Sequence, residues 1–286
     1  MQTNTPSRST IRLTRRGRIA LIATGAVVAG TAVAVPLLVL GDDGDPRPTT
    51  LVIPEGRRAS QVYAAVDTAL ELPAGSTRKS LASADLKLPA DAGGNPEGYL
   101  FPGTYPLKEK ATPEQLLALM VETANKKFSG APVAAGAQRN AMNVYQAVTI
   151  ASIVQAEAST KADMGKVARV IFNRLERGMP LQMDSTVDYA LGRPTPGVKK
   201  ADIEAGSPYN SYTRMGLPPT PIDNPGEEAM RAAINPTPGD WLYFVTVKPG
   251  DTRFTADHRE HRSDVAEFTA RQQKEQREKQ EQPAEK

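Results

Sequence analysis

The chain has 286 residues, of which 40% are hydrophobic and 23% are charged, a composition typical of one or two globular domains. Its formal net charge is +3, and its basic residues form no stripe with interleaved aromatics, which argues against a nucleic-acid-binding protein. It contains no cysteine, which excludes disulfides, a cysteine nucleophile and zinc-finger spacings.

An uncharged apolar run extends from Ile19 to Leu40, after an arginine-rich tail over residues 1–18. At about 1.5 Å per residue the run spans roughly 33 Å, close to the hydrocarbon core of a bilayer. A cleaved signal peptide would have a shorter apolar region, of about 7–15 residues, and a small-residue cleavage site. The run therefore predicts a retained transmembrane helix, with the tail in the cytoplasm and the rest of the chain outside.

Residues 41–96 predict a linker followed by a small β/α piece. The segment TTLVIPEG, which ends at Gly56, is typical of a short strand and a turn. Ser60 stands where it would cap a helix that ends near Leu70. Residues 74–96 are rich in turn formers and small side chains, which favours a loop.

The segment Glu97–Leu107 alternates aromatic and other residues, which predicts an extended segment. Apolar spacing and capping residues then predict four helices, over residues 112–128, 143–158, 162–177 and from 224 onward. Residues 179–226 are rich in proline and predict a loop. A hairpin is predicted from Trp241–Val247 to 253–255, and a polar helix or tail ends the chain.

Glu157 is a lone carboxylate near the end of a predicted helix that is otherwise almost uncharged. A carboxylate buried without a partner is costly, so its pKa is expected to rise. A carboxylic acid with a raised pKa is suited to protonate a glycosidic oxygen. The alternative is an ordinary surface glutamate at a helix end.

Polar loop residues offer partners for such an acid. Gln182 and Asp184 lie in the segment that follows the second buried helix, and Tyr209, Asn210 and Tyr212 lie in a later loop. Amides, hydroxyls and aromatic rings are the groups that bind sugars, although the same residues are common in turns.

Two other chemistries find little support. His258 and His261 are the only histidines and lack a clear third ligand, so a zinc site is not expected. No G-x-S-x-G or S-x-x-K motif supports acyl transfer by a serine. The sequence calls for no metal and no cofactor.

Six segments together resemble the YceG-like (MltG) family of endolytic murein transglycosylases. They are IPEG from Ile53, EGYLFPGTY from Glu97, ASIVQAEA from Ala151, KVARVIFNRLERGMPLQMDSTVDYAL from Lys166, SPYNSYTRMGLPPTPIDNPG from Ser207 and AINPTPGDWLYFV from Ala233. They cover some 200 residues in the family's order. The combination is specific, although no single segment is.

The resemblance implies an α+β fold. It implies a transmembrane helix over 19–40, a linker and a truncated LysM-like piece over 41–96, a catalytic domain over 97–270 with helices on a mostly antiparallel sheet, and a polar tail over 271–286. The family has a fuller LysM-like module, so independent glycan binding by this shorter piece is not expected.

The resemblance also implies an activity, namely non-hydrolytic cleavage of the β-1,4 bond between N-acetylmuramic acid and N-acetylglucosamine. The family's catalytic acid falls on Glu157, while the first acidic position of its motif is Gln155 here. Gly103 replaces an aspartate of the family, so no catalytic role is expected there. The resemblance implies substrate-binding roles for five residues, Gln182, Asp184, Tyr209, Asn210 and Tyr212.

Glycan strands of peptidoglycan are the implied substrate, and cell-wall synthases (penicillin-binding proteins) are implied partners at the membrane. Two alternatives stay open. A hydrolytic muramidase would use Glu157 with Asp184 as its second carboxylate. A membrane-anchored scaffold that binds the wall would need neither residue for catalysis.

Overall fold

The computed structural model describes residues 49–193, 199–204 and 206–281, and within them the fold is α+β, as expected. The strands are β1 Thr50–Ile53, β2 Gly103–Pro106, β3 Tyr243–Lys248 and β4 Asp251–Thr255. The helices are α1 Ala59–Ala69, α2 Ser76–Ser80, α3 Pro113–Phe128, α4 Ala131–Arg139, α5 Val144–Glu157, α6 Lys161–Glu176, α7 Asp184–Leu191, α8 Lys200–Ile203, α9 Glu227–Ile234 and α10 His258–Glu281. A 3₁₀ helix covers Ala90–Ala92.

The predicted cytoplasmic tail and transmembrane helix, residues 1–18 and 19–40, lie outside the described residues. In the part of the chain that is described, none of the helices has both the length and the apolar character needed to cross a bilayer.

The strands form two separate antiparallel pairs. β1 pairs with β2, with Leu51 opposite Tyr105, and β3 pairs with β4, with Phe244 opposite Phe254. The expectation of one antiparallel sheet beneath the helices is therefore wrong for the described residues. Each short strand has a single partner, and helices α5, α6 and α9 supply the core that a central sheet would otherwise form. The β1–β2 pair also joins residues on the two sides of the domain boundary predicted between residues 96 and 97. The boundary itself stays a prediction.

The N-terminal part differs from the expectation in two details. α1 follows Arg58, whose backbone N–H donates to the Gln61 side chain at 3.0 Å, so the predicted Ser60 cap is wrong. Residues 74–96 are not all loop, because α2 forms there. The buried Asp67 accepts hydrogen bonds at the start of α2, and this tertiary contact stabilises a helix too short to predict from the sequence.

Three of the predicted capped helices, α3, α5 and α6, are confirmed within one residue. The predicted start of α9 at Asn224 is wrong, because Gly226 is its N-cap and the Asn224 side chain binds Arg57 and Leu100 instead. The side chain of Thr112 accepts from the N–H of Gln115, and the Gln115 side chain accepts in return from the N–H of Thr112, which is the expected capping box of α3. Asn143 and Gln146 form the same reciprocal pair at the start of α5, with distances of 2.8 and 2.9 Å. Both helices therefore have fixed starting points.

Helix α5 runs through the core, with buried side chains on every face from Ala147 to Val154. Helix α9 packs against α5 and α6 through the fully buried Ala229 and Ala233. A Cβ added at Gly136 of α4 would lie 2.6 Å from the Cβ of Ile234, so glycine permits close packing of α4 on α9. This packing fixes the direction of α5 and so the position of its last residue, Glu157.

The proline-rich stretch 179–226 is less irregular than expected, because it contains α7 and α8. The last helix, α10, takes the helical alternative predicted for the polar end of the chain, and residues 282–286 lie outside the described part. Arg253 of β4 donates to Asp264 and Glu267 of α10, each at 2.8 Å, which ties the hairpin to this helix.

Candidate active site

Glu157 is the last residue of α5, and it is partly exposed, whereas the helix residues from Ala147 to Val154 are buried. Its Oε1 atom accepts a hydrogen bond from the backbone N–H of Ser185 at 3.0 Å. Ser185 is the second residue of α7, so the carboxyl group of one helix meets the N-terminal end of another. The buried hydroxyl of Ser185 lies near the same carboxyl group and has no other partner among the described residues.

The expected rise in the pKa of Glu157 is confirmed. Burial of the carboxyl group raises the pKa most, the hydroxyl and N–H of Ser185 lower it, and the negative charges of Asp184 and Asp188 raise it again. The free carbonyls at the C-terminal end of α5 also disfavour a negative charge. The net effect is a carboxyl group that keeps its proton to a higher pH than an exposed glutamate.

Asp184 and Tyr212 meet beside Glu157, and their predicted roles in substrate binding stay predictions. The hydroxyl of Tyr212 donates a short hydrogen bond to Oδ1 of the exposed Asp184. Burial and the hydrogen bond to Asp184 raise the pKa of Tyr212, so it stays a neutral donor. The pair thus brings a carboxyl group and a phenolic hydroxyl close to Glu157.

Gln182 lies on the same segment in a strained backbone conformation, with φ of +53°. Its Oε1 accepts from Nη1 of Arg174 at 2.9 Å, and its backbone N–H donates to the carbonyl of Ser211 at 2.9 Å. The side chain of Gln182 is exposed, but its contact with Arg174 holds it in place. Left-handed backbone at a non-glycine residue is typical of functional sites.

Arg174 and Ser211 support this segment, and sequence reasoning missed both. The buried Arg174 donates to the carbonyls of Leu181 and Leu242, at 2.8 and 2.7 Å. The hydroxyl of Ser211 accepts from the N–H of Met183 at 2.9 Å. The only sequence signal for Arg174 was a charge at an inward position of α6.

Asn210 has a different place from the one expected of a sugar ligand. It is 1% exposed, and its Nδ2 donates to the carbonyl of Ile203 at 2.6 Å. Its Oδ1 accepts from the N–H of Tyr212 at 3.1 Å. The amide thus shapes the loop that carries Tyr212, and a direct contact with sugar stays a prediction.

Tyr209 lies at the other end of α7 from Glu157. Its ring centroid is 4.8 Å from that of Tyr189, and its hydroxyl is 3.0 Å from Oγ1 of Thr220. The hydroxyl of Tyr189 donates to Oε2 of Glu97 at 3.0 Å. Arg58 lies over the ring of Tyr189, at 5.3 Å from its centroid, so this aromatic pair borders the N-terminal β/α piece.

Two further buried carboxyl groups, Glu97 and Asp223, were missed by the sequence analysis. Burial raises the pKa of Glu97, against hydrogen bonds from the N–H of Ala59 and the hydroxyl of Tyr189. Burial also raises the pKa of Asp223, and the negative charge of Glu97 adds to this. The IPEG turn approaches the same place, because a Cβ at Gly56 would lie 4.0 Å from Oδ2 of Asp223.

Gln155 contacts the start of α9 and lies near the IPEG turn at Gly56. Its Oε1 accepts from the N–H of Gly226 at 3.0 Å, so it holds the start of α9. Gly103 is exposed at the first position of β2. In the described parts of the chain, no three His, Cys, Asp or Glu side chains are grouped so that they could hold a metal ion.

The fold and this site define a class of α+β proteins in which a carboxyl group with a raised pKa ends a buried helix, bordered by a tyrosine hydroxyl, an amide and an aspartate. The chain belongs to the YceG-like family, whose sequence model matches residues 31–267.

Individual relatives agree with this assignment. The chain is 40% identical over 166 residues to the endolytic murein transglycosylase of Bacillus subtilis, an alignment that covers 58% of this chain and 46% of the relative. It is 37% identical over 177 residues to the endolytic murein transglycosylase of Streptococcus pneumoniae, covering 60% and 32%. The chain therefore matches less than half the length of these relatives.

The chain is also similar to a crystal structure of a yceG-like protein from Listeria monocytogenes. The two structures align with a TM-score of 0.68 and 32% sequence identity. The alignment covers 75% of this chain and 74% of the other.

Proposed function

We propose that the chain is an endolytic murein transglycosylase that cuts the β-1,4 bond between N-acetylmuramic acid and N-acetylglucosamine in nascent glycan strands. The observation that carries the proposal is Glu157, an acid with a raised pKa at the mouth of a polar site. Membership of the YceG-like family supports it, and so do the names of the Bacillus and Streptococcus relatives.

In this mechanism Glu157 is first an acid and then a base. Its carboxyl proton passes to the glycosidic oxygen as the bond to C1 of the muramyl ring breaks. The resulting carboxylate takes the proton from the muramyl 6-hydroxyl, whose oxygen closes on C1. The product is a 1,6-anhydro end, and the glutamate has its proton back, so the reaction consumes no water.

The neighbours of Glu157 have distinct tasks in this proposal. The N–H of Ser185 stabilises the carboxylate during the short time that it is charged. Asp184, Tyr212 and the free NH₂ of Gln182 contact ring hydroxyls and N-acetyl groups. Tyr209 stacks on a sugar further along the strand, and Asn210 acts through the shape of the loop.

Location and partners complete the proposal. The apolar run Ile19–Leu40 anchors the chain, with residues 1–18 in the cytoplasm and the catalytic domain outside. The piece around β1 and α1 is a truncated LysM-like module beside this domain. The anchor keeps the enzyme near cell-wall synthases, so cleavage ends or trims strands as they are made.

A hydrolytic muramidase is the second candidate, because the negative charge of Asp184 is near enough to raise the pKa of Glu157. Asp184 would then activate water or attack C1, and the product would carry a reducing end. The hydroxyl of Tyr212, which donates to Oδ1 of Asp184, would hold this side chain in position for such a role.

The products distinguish these reactions. Uncrosslinked glycan strands are incubated with membranes that carry the wild-type chain, Glu157→Gln or Asp184→Asn, and the ends are identified by mass spectrometry. We expect anhydro-muramyl ends from the wild type and none from Glu157→Gln. Reducing ends that vanish in Asp184→Asn would establish the muramidase, and glycan binding without cleavage by any variant would establish a scaffold.

A further inference from the structure

A short segment, residues 222–226, contacts α5 at two points near its end, and we call this segment the strap. Both contacts are hydrogen bonds from the backbone of the strap to side chains of the helix. Oγ of Ser152 accepts from the N–H of Ile222 at 3.0 Å, and Oε1 of Gln155 accepts from the N–H of Gly226 at 3.0 Å. The strap is therefore fixed to the last turns of the helix that carries the candidate acid.

The two contacts lie behind the catalytic side chain. At 100° per residue, the side chains of Ser152 and Gln155 leave the helix about 140° and 160° from the direction of Glu157. Gln155 is nevertheless only two residues before Glu157. Ala156 is exposed and Glu157 is partly exposed, and such helix ends fray. Gln155 is thus a point at which the strap holds the turn that ends in the acid.

The other side of the strap contacts the IPEG turn, residues 53–56. Asn224 is 1% exposed, and its backbone N–H donates to the carbonyl of Arg57 at 2.9 Å, while its carbonyl accepts from the N–H of Gly56 at 3.0 Å. Its Oδ1 accepts from the N–H of Arg57, and its Nδ2 donates to the carbonyl of Leu100 at 2.9 Å. Both polar atoms of this buried side chain are engaged, so the turn and the strap form one unit.

The IPEG turn also comes close to Gln155 itself. A Cβ added at Gly56, which has φ of +73°, would lie 3.8 Å from Cγ of Gln155 and 4.0 Å from Oδ2 of Asp223. A Cβ added at Gly226 would overlap the carboxyl group of Glu55. Glycine backbone therefore permits the close approach of the turn, the strap and the end of α5.

We propose that the N-terminal β/α piece positions Glu157 through the strap, and that Gln155 and Asn224 are the positioning residues of this connection. The piece is then a part of the active-site architecture and needs no glycan binding of its own for this role. A general acid is sensitive to its placement, since a displacement of about 1 Å can lower a rate by about 10²-fold. The inference rests on the proposed function for the identity of the reaction.

The first test measures kcat and KM of the full membrane-anchored chain on uncrosslinked glycan strands. Gln155→Met keeps the length of the side chain but offers only a weakly accepting sulfur to the N–H of Gly226. We expect kcat to fall about tenfold or more, with KM within about twofold of the wild type, because the acid is misplaced while the polar loops are intact. Gln155→Glu keeps an acceptor oxygen and should recover most of the lost kcat.

The second test addresses the N-terminal piece with a matched pair of variants. Gly56→Ala and Gly75→Ala both put a Cβ on left-handed backbone, at φ of +73° and +85°, so they strain the piece by similar amounts. Of the two, only Gly56 adjoins the strap, and a Cβ at Gly75 would have no contact within 4 Å. We expect similar losses of melting temperature, but a severalfold lower kcat per folded molecule in Gly56→Ala alone.

Hydrogen exchange over residues 155–160, followed by mass spectrometry, reports on the end of α5 without any reaction. We expect faster exchange in Gln155→Met and Gly56→Ala than in the wild type, Gln155→Glu and Gly75→Ala. This pattern would support the connection even if the wild-type chain cleaved no glycan, in which case the proposed function alone would fail.

Three results would overturn the positioning role while leaving a transglycosylase in place. They are a wild-type kcat in both Gln155→Met and Gly56→Ala, a raised KM with unchanged kcat in these variants, and equal falls of kcat in Gly56→Ala and Gly75→Ala. Exchange at the same rate in all of these chains would overturn it as well.

Discussion

The carboxyl groups of Asp67 and Glu157 both meet the first turn of a short helix, and their pKa values shift in opposite directions. Asp67 accepts from the N–H of Gly75 at 2.7 Å, and from the N–H and hydroxyl of Thr77 at 2.7 and 2.6 Å. Burial acts to raise its pKa, but the hydrogen bonds together outweigh burial and the pKa is lowered. Asp67 is thus a structural anion.

Glu157 accepts one backbone hydrogen bond, and its neighbours Asp184 and Asp188 add negative charge. Its pKa is raised. Burial acts to raise the pKa of both groups, and the larger number of donors at Asp67 reverses its effect there, whereas at Glu157 burial prevails and nearby negative charges add to it.

The largest effect that this comparison predicts is on the reaction. Glu157→Gln keeps the hydrogen bond from Ser185 but has no proton to donate, so the cleavage rate is expected to fall by about 10²- to 10⁴-fold, the usual range for a general acid. Thermal unfolding should show a melting temperature as high as in the wild type, because the charge that burial disfavours is gone. Asp67→Asn serves as control, and cleavage per folded molecule should be unchanged. A Glu157→Gln chain that still made anhydro ends would show that another group is the acid.

The second effect is on stability. Asp67→Asn leaves the N–H of Gly75 and of Thr77 with a weaker acceptor at the start of α2, and hydrogen bonds to charged groups contribute about 1.5–3 kcal/mol each. We expect the free energy of unfolding in urea to fall by roughly that amount. Asp85→Asn, an exposed carboxylate paired only with Lys87, should change it by a few tenths of a kcal/mol at most. Equal losses in both variants would mean that Asp67 is not a special anion.

The fold was predictable where a signal is local. The capping pairs of α3 and α5 and the β3–β4 turn each depend on residues that are close together in the sequence. These elements were confirmed within a few residues. α2 and α7 were missed because they are short and depend on distant groups. The division into two small sheets was missed because strand partners are chosen by tertiary packing.

The site divides in the same way. Glu157 could be singled out because a charge near the end of an apolar helix is a local pattern. Glu97, Asp223 and Arg174 could not, because the burial that defines them comes from segments far away in the sequence. Asn210 had the right composition for a sugar ligand, but only the structure places its amide against Ile203 and Tyr212.

Asp223 extends the comparison to a carboxyl group that, among the described residues, accepts no hydrogen bond at its buried Oδ1. Its pKa is raised well above the ordinary value by burial, while Arg58 opposes the shift. The folded chain therefore holds a proton that the unfolded chain loses once the pH rises above its ordinary pKa, and stability should fall as the pH rises further. The slope is at most about 1.4 kcal/mol per pH unit for one proton.

Asp223→Asn removes this titrating group. The free energy of unfolding should then fall less steeply as the pH rises, as measured by urea unfolding between pH 5 and pH 8. Glu97→Gln is the matched comparison, because it removes the like charge and should lower the pKa of Asp223 without removing its titration. An identical slope in the wild type and Asp223→Asn would show that Asp223 is already ionised in the folded chain and paired with Arg58.

The smallest effect concerns the charge next to the acid. Glu157 works in its protonated form, so activity falls as the pH rises through its pKa. Asp184 raises that pKa less than burial does, and Asp184→Asn should therefore move the falling limb of the pH–rate profile to lower pH by a modest amount. Tyr212→Phe removes the hydrogen bond to Asp184 but keeps the charge, so its falling limb should stay in place. Complete loss of cleavage at every pH in Asp184→Asn, with Tyr212→Phe still active, would instead mean that Asp184 takes part in the reaction as a second carboxylate. Glu157 and its hydrogen-bond donors would then not be sufficient for the reaction.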